Sequence, residues 1–542
     1  MLDLCKLVAF LGFLVATFGN TQIPTFPTNY HAKGSVRLPY AELNEPYEIW
    51  YDGAKQNSRI DWYNGMDTTI AIGNSVQYKY YYYDGKKACA KLSGGYQGIL
   101  PDLTGYKYRG LHSALGCVNK CHLLESHVTN GQQNSTYRFY YEFDEAGNPI
   151  PRLFWFLGWD KLFGSHFDRY DIVYEKFEKN VTADVFTING TCHNGYPKPI
   201  HNSEEEDFAK NPVAHYMDKK SHKKIHKIFM HFKGKFKKRY SSRREHAARF
   251  ANFVRHLRFV HGKNRAGLSY ELGINHLADF HPHELKMLSG GGMHKKEHHN
   301  RHLIDPDASW YDKANYLKSS TLPTSLDWRH YGAVTPVKDQ AICGSCWSFG
   351  AAQSLEGGFF KKFGYVEFLS QQQLFDCSWS YGNNGCDGGF ASDAFKYVRD
   401  FGGIETELSY GPYLGQDGIC HANKSKTVLQ VSGYTRVPTQ DNEALQAALA
   451  QNGPISISIN SATNSFYFYA RGVYDDPACS GNANDLDHAP LLVGYGVLNN
   501  KPYWLVKNSW SNYWGDDGYV LVARNDQYIC GIATRPVYAN IV

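Results

Sequence analysis

Beyond its first eighteen residues this 542-residue sequence has no apolar run approaching the ~20 residues needed to cross a bilayer. It shows no internal repeat. Neither sign of charge dominates, with 57 Lys and Arg facing 52 Asp and Glu. No membrane or nucleic-acid partner is therefore expected. A hydrophobic content of 42% excludes a chain that is disordered overall. The length suggests several domains.

The one long apolar stretch is at the start. Lys6 precedes a run from Leu7 to Phe18, closed by Gly19. It is too short to span a membrane and reads as a secretory signal peptide over residues 1–19. Secretion brings oxidising conditions, in which disulfides are the default use of cysteine. Of the 12 cysteines, Cys5 lies in the signal. Cys89, Cys117, Cys121 and Cys192 can pair fully, in any of three connectivities. The last 200 residues hold seven, so one thiol is left over as a candidate nucleophile. Sequons at Asn134, Asn180, Asn189 and Asn423 agree with secretion.

Residues 20–210 alternate and are rich in Tyr, Phe, Trp, Thr and Val. "SVQYKYYYYDG" and "NSTYRFYYEFDEAGNPIPRLFWFLGW" predict strands, with turns at Asp84-Gly85 and Gly147-Asn148-Pro149. An antiparallel sheet or half-barrel is expected, with the Tyr runs as strand faces and no catalytic constellation. Composition then turns basic. Phe229, Phe232, Phe236 and Tyr240 recur at helical spacing, and Glu245, Arg249, Phe253, His256, Val260 and Asn264 share one helical face. A short extended piece, "ELGINHLADF", follows. The Gly- and His-rich stretch "SGGGMHKKEHHNRHL" reads as a linker rather than a metal site. From Leu322 onward the length suits one compact domain with two subdomains.

"KDQAICGSCWSFG", from Lys338, holds a Cys-x-x-Cys pair ahead of a helix-forming run. A nucleophilic thiol needs a base, donors for an oxyanion and a group to orient the base. Cys346 would begin the helix, where free N–H groups and the dipole favour a thiolate. His488, before a strand, is the candidate base, although a lone histidine there is more often structural. Asn508 would fix the ring's tautomer, Trp510 and Trp514 would shield that bond, and Gln340 would join the Cys346 N–H as oxyanion donor. A zinc site would need a second ligand pair, and redox proteins set Cys-x-x-Cys in another context.

"QAICGSCWSF", "CSWSYGNNGCDGGF", "LDHAPLLVGYG" and "KNSW…WGDDGY" stand in the order and separation of the papain-like cysteine proteinases. Residues 322–542 most resemble the cathepsin L type. The resemblance implies an α+β fold, with a helical and a β-barrel subdomain, and a cysteine-type endopeptidase needing no cofactor or metal. It implies Cys346, His488, Asn508 and Gln340 as catalytic residues. It pairs Cys343 with Cys386, Cys377 with Cys420 and Cys479 with Cys530. Gly344, Gly388, Gly389, Phe390, Ala391, Ile455, Leu486, Asp487, Ala489, Trp510 and Arg535 would contact protein or peptide substrates. An apolar P2 side chain is expected, with Arg535 at the pocket floor as the departure that would narrow it or accept an acid.

Residues 225–285 resemble the cathepsin-type inhibitory prosegment, so the chain's own prosegment is an expected intramolecular inhibitor. In that family the segment runs through the cleft in reverse. The family's usual Asn and Ile are replaced by His256 and Val260. Gly273, Asn275, Leu277 and Asp279 match the companion motif, with Leu for Phe. Residues 286–321 would be linker and processing region. The long extension resembles that of the two-chain haemocyte cysteine proteinases of insects, which implies a lysosomal, granular or extracellular destination. Residues 322–542 carry 14 Lys and Arg against 20 Asp and Glu, a net −6, while the rest carries +11. Acid should weaken the attraction between them. The rival reading makes the β-rich domain a binding module with the protease part as scaffold. The intact constellation counts against it.

Overall fold

The computed structural model describes residues 23–83, 86–130, 133–159, 167–195, 222–289, 308–318, 320–525 and 527–542. The expected signal peptide, the Asp84-Gly85 turn and the Gly- and His-rich stretch lie outside these residues. The chain divides into two compact units, Met1–His231 and Phe232–Val542.

In the first unit the alternating segments form β1 (Asn29–Leu38), β2 (Leu43–Asp52), β3 (Asn57–Trp62), β4 (Asp67–Ile72), β5 (Val76–Tyr83), β6 (Lys86–Ser93), β7 (Lys107–His112), β8 (Cys121–Asn130), β9 (Gln133–Phe143), β10 (Pro149–Trp159), β11 (Phe167–Glu178) and β12 (His193–Asn194). They make one sheet, ordered β12-β6-β5-β4-β3-β2-β1-β11-β10-β9-β8-β7. All pairings in it are antiparallel except β12 with β6. The β9–β10 turn closes as its residues suggest, with Gly147 at φ +78° and the Asn148 N–H donating to the Asp144 carboxylate at 2.7 Å.

Period two decides which side chains are covered. In β5, Gln77 and Lys79 are buried while Tyr78 and Tyr80 are only half-buried. Tyr78 and Tyr80 share one strand face, and the more covered face is the one that holds Gln77 and Lys79. Lys79 is paired there with Asp67 and donates to Thr69 Oγ1 at 3.2 Å. Elsewhere tyrosines fill the core and their hydroxyls find backbone partners, as burial demands. Tyr174 donates to Ile99 O at 2.7 Å and Tyr47 to Val173 O at 3.1 Å. Disulfides join Cys89 to Cys192 and Cys117 to Cys121, a choice the spacing alone left open.

The basic region yields α1 (His222–Lys235) and α2 (Arg243–Asn264). The helical spacing extended α1 through Phe236 and Tyr240, but it stops at Lys235. Lys237 takes φ +51°, a left-handed turn that no helix continues through. Ser242 caps α2 by accepting the Glu245 N–H at 3.1 Å, and the Glu245 carboxylate accepts the Ser241 N–H at 2.8 Å. Phe253, on the predicted α2 face, meets Phe232 with ring centroids 4.8 Å apart. The companion segment forms β13 (Tyr270–Leu272) and then α3 (Pro282–Leu288). Asp279 accepts from Tyr240 at 2.9 Å and pairs with Lys238 at 2.9 Å. The Asn275 side chain donates to Tyr467 O at 2.8 Å.

Residues 308–318, inside the expected linker, are built: β14 (Ala308–Trp310) and α4 (Lys313–Leu317). The C-terminal part brings β15 (Leu326–Asp327), α5 (Cys346–Phe363), α6 (Gln371–Cys377), α7 (Ala391–Phe401), β16 (Val431–Arg436), α8 (Asn442–Asn452), β17 (Ile455–Ser456), β18 (Tyr469–Tyr474), β19 (Leu491–Leu498), β20 (Lys501–Lys507), β21 (Tyr519–Ala523) and β22 (Val537–Ile541). Trp347, Leu355, Phe395, Val398 and Tyr434 form the helical core, and Leu491, Val493 and Leu505 the core of the strands. Each such side chain contributes ~1.5–3 kcal/mol by leaving water. β13 adds to β18 and β14 to β16, so both ends of the strand path precede residue 322 in the chain.

Candidate active site

Three pieces of local structure converge at the first turn of α5. The Cys343–Cys386 disulfide fastens the loop before the helix, and the Gly344 N–H donates to Cys386 O at 3.0 Å. Disulfides also join Cys377 to Cys420 and Cys479 to Cys530. Cys346 is the free cysteine among the described residues, buried at the start of α5. Gly350 lies one turn on, over the same face. A Cβ at Gly350 would stand 2.6 Å from Ala489 O and 2.9 Å from Ser456 Oγ. The missing side chain lets α5 approach the residue that follows His488. The Cys346 thiol in turn receives the Ala489 backbone N–H.

His488 is held by an antiparallel bridge with Ile459, whose N–H donates to His488 O at 2.8 Å. Its Nε2 donates to Asn508 Oδ1 at 2.7 Å, which leaves Nδ1 as the unprotonated nitrogen of the neutral ring. Nδ1 is buried and, among the described residues, has no hydrogen-bond partner. Trp510 packs on the imidazole at 4.8 Å, and Trp514 lies 5.4 Å from Trp510. Both indoles are fully buried, so water is kept from the His–Asn bond.

Gln340 is oriented from both ends. Its Oε1 accepts from Ser509 Oγ at 2.6 Å, so its Nε2 must face the other way. Nε2 donates to Cys343 O at 2.7 Å and to Leu288 O at 3.0 Å. The second acceptor is the last residue of α3. The next residue, Ser289, is buried and bonded to Tyr467 Oη and Ser461 Oγ, each at 2.9 Å. Ser461 also donates to Asp487 Oδ1, from its N–H at 2.7 Å and its hydroxyl at 3.0 Å. The segment before residue 290 therefore lies directly on the site.

Burial governs the charges. It pushes the Cys346 thiol up to about 12, with the Asp487 carboxyl adding to the effect. It drives the His488 imidazole down to about 4, against the Asn508 bond. It lifts Asp487 to about 7 despite the Ser461 donors. At neutral pH the sulfur and the ring are both neutral in this state.

A cavity of about 130 Å³ opens beside α7. Of the residues expected to contact substrate, Gly389, Phe390, Ala391, Ala489 and Arg535 line it. Ile455 and Leu486 do not. Successive residues of a strand face opposite ways, so β17 offers Ser456 to the cavity and turns Ile455 into the core. Leu486 is buried against Gly531, where a Cβ would lie 2.5 Å from it. Gly344, Gly388, Asp487 and Trp510 also lie off the lining. Burial lowers the Arg535 pKa, helped by Arg436, which borders the same cavity. Gly350 and Ser509 lie inside quoted motifs that imply no role for them, Ser461 lies in none, and their contacts single them out. Of the sequon asparagines, Asn180, Asn189 and Asn423 are exposed.

A family profile described as papain family cysteine protease matches residues 322–540. One described as cathepsin propeptide inhibitor domain matches residues 229–285. Cathepsin L of Sarcophaga peregrina is 44% identical over 284 residues, covering 52% of this chain and 81% of that protein. A cathepsin L-like peptidase of Aedes aegypti is 43% identical over 315 residues, covering 57% of this chain and 91% of that protein. Among solved structures, digestive procathepsin L 3 of Tenebrio molitor larval midgut matches with a TM-score of 0.53 and 35% identity, over 58% of this chain and 99% of that one.

Proposed function

The chain belongs to the papain family of cysteine proteases, cathepsin L-like and made with an inhibitory propeptide, and on that premise we propose how its own residues work. Cys346 is the nucleophile and His488 the acid–base partner. With the propeptide gone, water re-enters, the penalty on charge falls, and the α5 N-terminus and the imidazole favour a thiolate–imidazolium pair. The thiolate attacks the scissile carbonyl and forms the C–S bond. The Gln340 amide and the Cys346 N–H hold the oxyanion. His488 gives its proton to the leaving amine, then takes one from water as that water hydrolyses the thioester. Asn508 keeps the ring in the tautomer both steps need.

The observation that carries this reading is the bond from Gln340 Nε2 to Leu288 O. The propeptide presents a carbonyl to a donor that would otherwise serve the reacting one. The stored form is inactive on two counts. The cleft is covered, and its sulfur and imidazole are neutral. The Phe390–Ala391 cavity receives the substrate's P2 side chain, apolar or acidic at the Arg535 end. Release is triggered by acid in the secretory pathway, a lysosome or the extracellular space.

The test is labelling by a mechanism-based thiol reagent. The acid-processed protein should be labelled rapidly at Cys346, and the unprocessed one at neutral pH far more slowly. Cys346→Ala should abolish both labelling and peptide hydrolysis. Processing as fast at pH 7.5 as at pH 4.5 would overturn the acid trigger, and hydrolysis surviving in Cys346→Ala would overturn the mechanism.

A further inference from the structure

Residues 308–318 fall between the two family regions, 229–285 and 322–540, yet they are built onto the protease core. β14 is a parallel partner of β16, in register Ala308↔Tyr434, Ser309↔Thr435 and Trp310↔Arg436. The pairing extends one residue further, with the Tyr311 N–H donating to Arg436 O at 2.9 Å. The Tyr311 ring is buried, and its hydroxyl donates to Gln451 Oε1 of α8 at 3.0 Å. Asp312 caps α4 by accepting the Ala314 N–H at 2.9 Å. Lys313 Nζ lies 2.9 Å from both Asp441 and Glu443, at the start of α8. Main-chain pairing, a buried ring and a double ion pair tie this short arm to two elements of the enzyme.

The arm's register puts one side chain where it matters. Trp310 lines the cavity that also holds Phe390, Ala391, Ala489 and Arg535. The indole is 59% exposed although it borders an apolar wall, and the Arg436 guanidinium lies 6.0 Å from its centroid. An unfilled indole face at the rim of a side-chain pocket is a contact surface awaiting a ligand.

We propose that Ala308–Lys318 stays with the protease after activation and that Trp310 is a specificity-determining residue, an outer wall for the substrate's P2 side chain. Activation then cuts N-terminal to Ala308, not at Leu322. The wall selects apolar P2 side chains long enough to reach the indole, Leu or Phe over Val. This rests on the protease reading above.

The full-length protein is activated in acid and its Cys346 tagged with the thiol reagent. The tagged chain is then N-terminally sequenced, and kcat/KM is measured on peptide amides with Leu, Phe or Val at P2. The tagged chain should begin at or before Ala308. Trp310→Ala should lower the Leu-over-Val preference about 5- to 10-fold, the scale of a lost apolar wall. Lys313→Glu, which repels Asp441 and Glu443, should lower it in the same direction by releasing the arm. A tagged, active chain beginning at Leu322 overturns the inference, as does an unchanged preference in a Trp310→Ala enzyme that keeps its arm. Should Trp310→Ala fail to fold, the wild-type N-terminus and the Lys313→Glu preference still decide. A chain that takes no tag fails the protease reading itself.

Discussion

His256 offers a direct test of why acid should release the propeptide. Its ring sits on α2, buried, 4.6 Å from the Phe468 ring of the protease core. Nδ1–H donates to Ala278 O at 2.8 Å. Burial, with Arg255 adding repulsion, lowers its pKa from 6.5 to about 4. His276 behaves alike. It lies near Phe236 and Tyr513 with Lys238 as the nearby charge, and burial takes it to about 4. A docked ring that stays neutral binds fewer protons than a free one. The docked state is therefore fully favoured above pH 6.5, loses ground as pH falls through 6.5, and levels off below about 4. Between pH 7 and 4.5 each histidine should cost docking about 2.4 kcal/mol, or about 60-fold. His256→Asn can still donate to Ala278 O but cannot titrate. The assay is the rate of thiol labelling of Cys346 in the unprocessed protein from pH 7 to pH 4. Taking the ratio of mutant to wild type cancels the sulfur's own titration. That ratio should be near one at pH 7 and fall about 60-fold by pH 4.5. A ratio that does not move with pH refutes the reasoning.

Gly350→Ala should force α5 away from Ala489 O and lower kcat about 100-fold with Cys346 still present, read by active-site titration beside turnover. Arg535→Ala should reduce kcat/KM for a Glu P2 peptide about 10-fold and leave Leu within about two-fold, because only the acid needs the guanidinium. Tyr174→Phe removes the donor to the buried Ile99 carbonyl and should destabilise the N-terminal unit by about 1–2 kcal/mol in denaturant unfolding. Equal midpoints for the two proteins would mean that the Ile99 carbonyl is satisfied without it.

The cysteines show where reading along the chain stops. Seven in the last 200 residues left one unpaired, and a helix start together with the resemblance of the surrounding motifs to the papain-like proteinases pointed to Cys346. The four in the first half offered three pairings with nothing local to choose among them. A disulfide requires two Cα atoms within about 7 Å, a distance set by the sheet that brings β6 beside β12. The Tyr run of β5 was legible as a strand, because period two is a property of neighbours in sequence. Its covered side was not, because burial depends on what lies across the sheet.

The protease segment repeats the division. Its motifs determined by themselves which atoms are chemically apt: a thiol at a helix start, an imidazole, two amides. Their types and local backbones are short-range matters. Only the tertiary structure decided the rest. It laid the Leu288 carbonyl on Gln340, turned Ser456 rather than Ile455 into the cavity, and set Trp310 of an expected linker at the cavity's rim. Leu288 and Gln340 are 52 positions apart and Trp310 and Arg535 are 225 apart, and no periodicity or spacing encodes a distance through space.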